Sequence, residues 1–569
     1  MRAEAWRCAA VAAGVVWGSA ASGVEVRTLA LSGQQAPGAP AGATFISGFG
    51  PPDVNASGQA AFTGILTGTG VDFTNSWGVY AGAAGAVAQA GRTGQALPGA
   101  PGVTLLNPLG PAWIADSGTT LFRTALTGAS ITADNDWAIC ASSGGSLSVM
   151  AREGDQAPGA PAGINYGVLD QFQLTPGGRV AFDCLLAGAG VSLANDGAVV
   201  AGAMAGATVI AREGDAAPGL AGVTLFNVGR GLTNDAGDVA YLATLAGSGV
   251  SGANDVALYL GTAGAVAPVL REGDALTGAL AGTMVKGFTA AGLDDSGRVV
   301  QLITLDGTGV GSLNDTAIVG VTSGAVTSIL REGGQAPGMG AGVSVAFLEI
   351  YVHPSGHVAF VGVLEGAGIT AADDAVLYAG DGTTFAPVAR EGDPAPGIPS
   401  ALLGTYLQGV RVNAAGQAAF VAGLTGPGVT SSNNQALYLT DGAGNTELIA
   451  RTGDPFDVDD TAGTDLRTPI SIQFTVSSDT HHLRSSLGDG GDVVFTLFFS
   501  DGSMGVFGAS LGSACPADVN GDGVLNLDDV NVFAAAFVGG NLIADVDGNG
   551  VLNLDDVNVF AASFIAGCP

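Results

Sequence analysis

Residues 223–274 read VTLFNVGRGLTNDAGDVAYLATLAGSGVSGANDVALYLGTAGAVAPVLREGD, and this stretch decides the fold. It divides at its turn signals into four short apolar runs. VTLFNVGRGLTN is the first, and Asp235-Ala236-Gly237 is a turn whose glycine supplies a positive φ. DVAYLATL is the second, and the loop AGSGVSGAND leads to the third, VALYLG. Thr262-Ala263-Gly264 then turns into the fourth, AVAPVLREG. Alternation along these runs is imperfect, as in strands buried on both faces.

The unit recurs along the chain. Its NDAGDVAY marker, ending at Tyr241, has counterparts ending at Phe62, Phe122, Phe182, Gln301, Phe360, Phe420 and Phe495, at steps of 59 or 60 residues with a last step of 75. A second marker, Arg-Glu/Thr-Gly, follows in phase from Arg92, Arg152, Arg212, Arg271, Arg331, Arg390 and Arg451. A degenerate eighth copy, Leu31-Ser32-Gly33-Gln34, precedes all the others. Eight four-stranded units predict a mostly β chain, an eight-bladed β-propeller of about 60 residues per blade. A stacked solenoid would use shorter units and end caps. The termini support closure. The last repeat stops at its third strand, Gly502 to Leu511, while Val24 to Gly33 matches a fourth. The N-terminal strand is therefore expected to complete the last blade and cover its edge.

Loops after the second and fourth strands share one face, and the recurrent acids fall there: Asp136, Asp196, Asp255, Asp315 and Asp374, then Asp155, Asp215, Asp274, Asp393 and Asp454. They form a candidate cation or polar-ligand ring. Asn-Asp at a strand entry and Arg-Glu-Gly-Asp at a strand exit are also turn formers, and the turn reading is the one adopted.

Composition narrows the class. The chain has 569 residues, 94 of them glycine, with 50 acids against 18 bases and a net charge of −32. Such a balance excludes nucleic acid and anionic membranes as natural partners. Arg2 and Arg7, the apolar stretch Cys8 to Trp17 and Gly18-Ser19-Ala20-Ala21 read as a signal peptide over residues 1–21. No later apolar run is long enough for a membrane span. An exported protein, extracellular or cell-surface associated, is expected. Cys140, Cys184, Cys515 and Cys568 would remain after cleavage, the last two bracketing the C-terminal segment as an expected disulfide. Pairing of Cys140 with Cys184 stays open.

The repeat marker resembles the exported bacterial tandem-repeat family named for its Asn-x-x-Gly-x-x-Ala-Phe motif, over roughly residues 24–512. That resemblance implies no catalytic residues.

The C-terminal segment has its own duplication. Residues 518–529 read DVNGDGVLNLDD and 545–556 read DVDGNGVLNLDD. A 12-residue calcium loop supplies oxygens at positions 1, 3, 5, 7, 9 and 12. Here these are Asp518, Asn520, Asp522, the Val524 carbonyl, Asn526 and Asp529, then Asp545, Asp547, Asn549, the Val551 carbonyl, Asn553 and Asp556. Position 12 is Asp where an EF-hand has Glu. Each loop runs into an amphipathic helix: Val530, Phe533, Ala534 and Phe537 share a face, as do Val557, Phe560, Ala561 and Phe564. The copies are identical at 17 of 20 positions over 518–537 and 545–564. This segment resembles a type I dockerin, a small all-α module of paired calcium loops and helices that binds cohesins. The resemblance implies two calcium ions and a cohesin-like receptor or cell-surface scaffold as partner. The partner-contacting positions carry over to Leu527, Asp528, Leu554 and Asp555. The domains expected are thus a signal peptide (1–21), the propeller (22–512) and the calcium module (513–569).

Catalytic motifs are scarce. His353 and His357 flank the Pro354-Ser355-Gly356 turn of a repeat and read as turn substitutions. His481 and His482 lie in the extra residues of the last repeat. No nucleophile elbow, zinc-protease helix or phosphate loop is present. The expectation is a non-catalytic binding or structural propeller attached through its dockerin. The alternative is a glycoside hydrolase or carbohydrate-binding subunit of a dockerin-organised, polysaccharide-degrading complex.

Overall fold

The computed structural model describes residues 24–108, 111–441, 444–459, 465–474 and 485–511, and in the C-terminal segment 517, 519, 525–539, 544, 546 and 552–566. Residues 1–21, expected to be a signal peptide, and Cys515, Cys568, His481 and His482 lie outside the described residues. The chain forms two compact units, one spanning residues 26–510 and one containing the C-terminal segment.

The first unit is a mostly β, eight-bladed propeller. In the repeat quoted above, strands Val223–Thr233, Asp238–Gly247, Val256–Thr262 and Ala265–Arg271 pair antiparallel in chain order. Gly237 makes the expected turn at φ 95°. Seven sheets repeat this order, and in the first two the innermost strand is split in two pieces. A further two-stranded ladder, Phe456–Asp457 with Leu466–Arg467, occupies the longer last repeat, which the repeat pattern does not foretell.

The eighth sheet closes the ring. Its order is Val24–Leu31, Met504–Leu511, Asp492–Phe499, Pro469–Gln473, so the N-terminal strand is the outermost one of the last blade. Ser32 N–H donates to the Met504 carbonyl at 2.9 Å, and Arg27 pairs with Asp492.

The marker aromatics make the core. Phe62, Phe122, Phe182, Tyr241, Phe360, Phe420 and Phe495 are each at most 1% exposed. Each fully buried aromatic of this kind contributes about 1.5–3 kcal/mol. Four of them stack on the tyrosine opposite them on the third strand: Phe62 on Tyr80, Tyr241 on Tyr259, Phe360 on Tyr378 and Phe420 on Tyr438. The marker asparagine ties blades together. Asn55 Nδ2 donates to Ala115 O at 3.0 Å and Asn234 Nδ2 to Asp294 O at 2.8 Å, each 60 residues on in the next blade. Asn413 reaches Gly488 O at 3.1 Å in the same way.

In the second unit, helices α1 (Leu527–Gly539) and α2 (Leu554–Ala566) pack through Phe533 and Phe560, stacked with centroids 4.1 Å apart. No helix among the described residues is long and apolar enough to cross a membrane.

Candidate functional site at the inner ends of the blades

The turns between first and second strands form a ring at one end of the propeller. Ala56 N–H donates to Asp116 Oδ1 (2.9 Å), Gly177 N–H to Asp235 Oδ2 (2.8 Å), Asp235 N–H to Asp295 Oδ1 (3.1 Å) and Ala414 N–H to Asp489 Oδ1 (2.8 Å). These aspartates are therefore blade-to-blade connectors. Asp295 is pushed above the usual carboxylate range by burial first, with Asp235, Asp294 and Asp489 adding to it.

A pocket opens within this ring, lined among others by Asp53, Asp116, Tyr351, His353, Ser485 and Asp489. The repeat pattern breaks here. Where other blades place Asn55, Asn234 or Asp294, this one has His353, 4% exposed. Its Nδ1 accepts the Ser355 N–H at 3.2 Å, the bond that Asn55 Oδ1 accepts from Ser57 at 3.1 Å, so the turn reading of His353 holds. The imidazole does more than replace an asparagine. With Nδ1 accepting, Nε2 carries the proton and lies 3.3 Å from Asp489 Oδ1 on a different blade. Ser355 Oγ sits 2.9 Å from His353 Nδ1 and 2.9 Å from His357 Nδ1. The result is a continuous chain Asp489–His353–Ser355–His357, a path along which a hydroxyl proton can pass to a neutral imidazole. Burial lowers the His353 pKa to about 4, against the pull of Asp489, so the ring is neutral at physiological pH.

Asp53 supports the pocket wall, accepting N–H bonds from Ile114 (2.9 Å) and Ser485 (3.0 Å). The buried Arg411 guanidinium lies 4.7 Å over the Tyr351 ring, and burial pushes the Tyr351 phenol up to about 12. Asp53, Tyr351 and Ser485 escaped the sequence reading because they lie outside the quoted markers, and Asp489 because within its marker it reads only as a turn residue.

On the opposite set of loops an asparagine just before the residue that enters the third strand is a turn former. Asn195 Oδ1 accepts Ser192 N–H at 2.7 Å and its Nδ2 donates to Gly190 O at 3.1 Å, and Asn254 and Asn433 repeat the arrangement. Arg212 Nε then donates to Asn195 O at 2.9 Å, locking one marker to the other. Cys140 and Cys184 are free, buried thiols in different blades, so no bridge joins them.

Of the calcium-loop positions, Asn526, Asp529, Asn553 and Asp556 are described. Asp518, Asn520, Asp522, Val524, Asp545, Asp547, Asn549 and Val551 lie outside the described residues. Asp529 and Asp556 are fully buried, and each accepts the N–H of the loop's ninth residue: Asn526 at 3.0 Å, Asn553 at 2.8 Å. This is capping-box geometry at each helix start. Leu527 and Leu554 are equally exposed, at 72% each, while Asp528 and Asp555 lie in the first turns of the helices.

A family model described as a family of unknown function (DUF7453) matches residues 8–321 and 281–513. The chain belongs to that family. No curated protein matches it. Among solved structures it is similar to an oligogalacturonate lyase in complex with manganese, at 14% identity and TM-score 0.36, covering 74% of this chain and 96% of that one. It is also similar to the β-propeller domain of the Trilobed protease from Pyrococcus furiosus, at 10% identity and TM-score 0.36, covering 72% and 100%. Puromycin hydrolase aligns at 14% identity and TM-score 0.35, with 79% of this chain covered and only 58% of that enzyme's length spanned.

These findings correct one expectation. The sequence predicts a non-catalytic binding or structural propeller attached through a dockerin, with a glycoside hydrolase or carbohydrate-binding subunit of a dockerin-organised, polysaccharide-degrading complex as the alternative. The solved propellers it is similar to come from enzymes, a lyase, a protease and a hydrolase, and the family match ends at residue 513. The activities named remain those of the other proteins.

Proposed function

We propose that the pocket at the inner blade ends binds a small ligand bearing a protonated amine. One observation carries the reading: Asp53, Asp116 and Asp489 line the pocket with the neutral His353, and among the described lining residues there is neither arginine nor lysine. A low-dielectric, carboxylate-lined cleft attracts cations over anions. The Asp489–His353–Ser355–His357 chain would meet such a ligand at the pocket wall and supply or take a proton there. Titrating the full chain with putrescine and, separately, with glucose tests this. Binding of the diamine that weakens with salt and is lost in Asp489→Asn supports it. Glucose binding with the diamine silent would replace it with the polysaccharide reading of the partner.

The second proposal concerns the C-terminal segment, and it rests on the paired 12-residue pattern and its resemblance to dockerins. The two loops take up two calcium ions through the residues named above, and the exposed Leu527 and Leu554 contact a cohesin-like receptor. Calorimetry of the full chain with calcium, before and after chelation, tests uptake. Export is proposed on the pattern of residues 1–21, and N-terminal sequencing of protein from the culture medium tests it.

A further inference from the structure

In five blades the fourth strand ends in a glutamate whose carboxyl reaches the aspartate at the entry to the third strand. The pairs are Glu153 with Asp136, Glu213 with Asp196, Glu272 with Asp255, Glu332 with Asp315 and Glu391 with Asp374, each within hydrogen-bonding reach. Backbone contacts hold the glutamates in place. Glu213 Oε2 accepts Gly197 N–H at 3.0 Å, and the same bond comes from Val256 (3.2 Å), Thr316 (3.1 Å) and Ala375 (3.4 Å). Glu153 Oε1 accepts Leu169 N–H at 3.4 Å. Glu153, Glu213 and Glu391 are less than 8% exposed.

Two further blades carry the same marker and lack both acids: Thr93 stands with Ser76, and Thr452 with Asn434. In the latter, Thr452 Oγ1 accepts Gln435 N–H at 3.1 Å, performing the glutamate's backbone role without charge. Acid faces acid or neutral faces neutral, never one of each, across these seven blades. Pairing, rather than negative charge on the loop, is what the repeats preserve.

We propose that each of the five pairs shares one proton and acts as a pH-sensitive clasp. It ties the loop between second and third strands to the fourth strand while the proton is shared and releases it as rising pH removes that proton. Two close carboxylates in a partly buried site cannot both ionise without repulsion, whereas one proton between them makes a charge-assisted hydrogen bond. The other groups around the glutamates are few. Asn227 Nδ2 donates to Glu213 Oε1 (3.1 Å) and Thr316 Oγ1 to Glu332 Oε2 (2.9 Å). Asp373 acts on Glu391 but is itself paired with Arg390 at 2.6 Å. Gly287, beside Lys286, takes the place of Asn227 next to Glu272. Arg212, Arg271, Arg331 and Arg390, each just before its glutamate, are directed at the loop backbone, donating to the carbonyl just before the aspartate.

Burial first, then the neighbouring aspartate, raises Glu153 from 4.5 to about 7; burial is also the largest cause in the other four, all raised. A raised carboxyl stabilises the fold fully below its ordinary value and ceases to do so as pH climbs through the folded one. For Glu153 that window runs from 4.5 to about 7.

Hydrogen exchange on the full chain in chelator, at about pH 5.5 and about pH 8 with intrinsic rates corrected, reads the clasp directly. Local opening is expected to rise about tenfold or more in the loops ending at Asp136, Asp196, Asp255, Asp315 and Asp374. The loops ending at Ser76 and Asn434 serve as internal controls and should not change. Glu213→Gln, which keeps shape and offers a permanent donor to Asp196, should flatten the response in its own loop alone. Equal change in all seven loops, or an unaltered response in Glu213→Gln, overturns the proposal. So does calcium restoring protection to the five loops at the higher pH, which would make the pairs cation ligands.

Discussion

The propeller and the C-terminal helix pair are both products of duplication, yet they reach stability by different routes. Seven propeller blades bury a marker aromatic, and in three of them a marker asparagine bonds to the next blade. Stability is distributed over eight near-equivalent positions and completed by closure. The helix pair has two copies, a core centred on Phe533, Phe560, Ala517 and Ala544, and carboxylates buried at both helix starts. A unit of this size rarely stands on its core alone and draws on a staple or a metal. The difference teaches that repetition stabilises a fold when the copies meet in a ring, while two copies alone need support from beyond their core.

The largest effect should come from breaking the ring. Deleting residues 24–31 strips the last blade of its outer strand and exposes the edge at Met504–Leu511. Aggregation or loss of the cooperative melt is expected, and scanning calorimetry of the deletion variant checks it; a melt like the parent's would show that closure is dispensable. Next, Asp529→Ala with Asp556→Ala should abolish calcium-dependent helicity, measured by circular dichroism with and without chelator, while the propeller's transition stays in place. Phe533→Ala should destabilise the helix pair by about 3 kcal/mol or more, since it removes the stacked partner of Phe560. Denaturant titration followed by circular dichroism at calcium saturation reads this.

Smaller effects separate the pocket from the fold around it. His353 is held neutral, with a pKa lowered to about 4, so its burial opposes folding progressively as pH falls from 6.5 toward that value. His353→Asn restores the residue type of neighbouring repeats and keeps the turn acceptor. It should be nearly neutral at pH 7 and relatively stabilising near pH 5, as thermal melts across pH would show. This slope is opposite in sign to that of the paired glutamates, so the two can be measured in one protein. Smallest of all, Leu527→Ala should leave stability unchanged, because the side chain is exposed, and should weaken receptor capture only modestly while Leu554 remains.

Much of the architecture was legible because repetition multiplies weak signals. One NDAGDVAY is a turn and half a strand; eight of them set blade number, strand phase and the role of residues 24–31. The pocket was less legible for the same reason. His353 was correctly read as a turn residue from its position in the repeat, but its partner Asp489 lies two blades onward, a proximity that linear spacing does not carry. The glutamates were seen as part of Arg-Glu-Gly-Asp, and their partners as part of Asn-Asp. Only the antiparallel register between third and fourth strands brings the two motifs side by side.

The closing strand also has a meaning in time. Ser32 bonds to Met504 across 472 residues of sequence, so the first strand to be made is the last to find its partner. Every blade between can pair its own strands as it emerges, through contacts of short sequence separation. The ring itself must wait for the far end of the chain. Until then the N-terminal strand and the last sheet both present unpaired edges, and a truncated chain would keep them. Closure is thus a proofreading step on synthesis: only a chain that has been made through residue 511 can bury both edges at once.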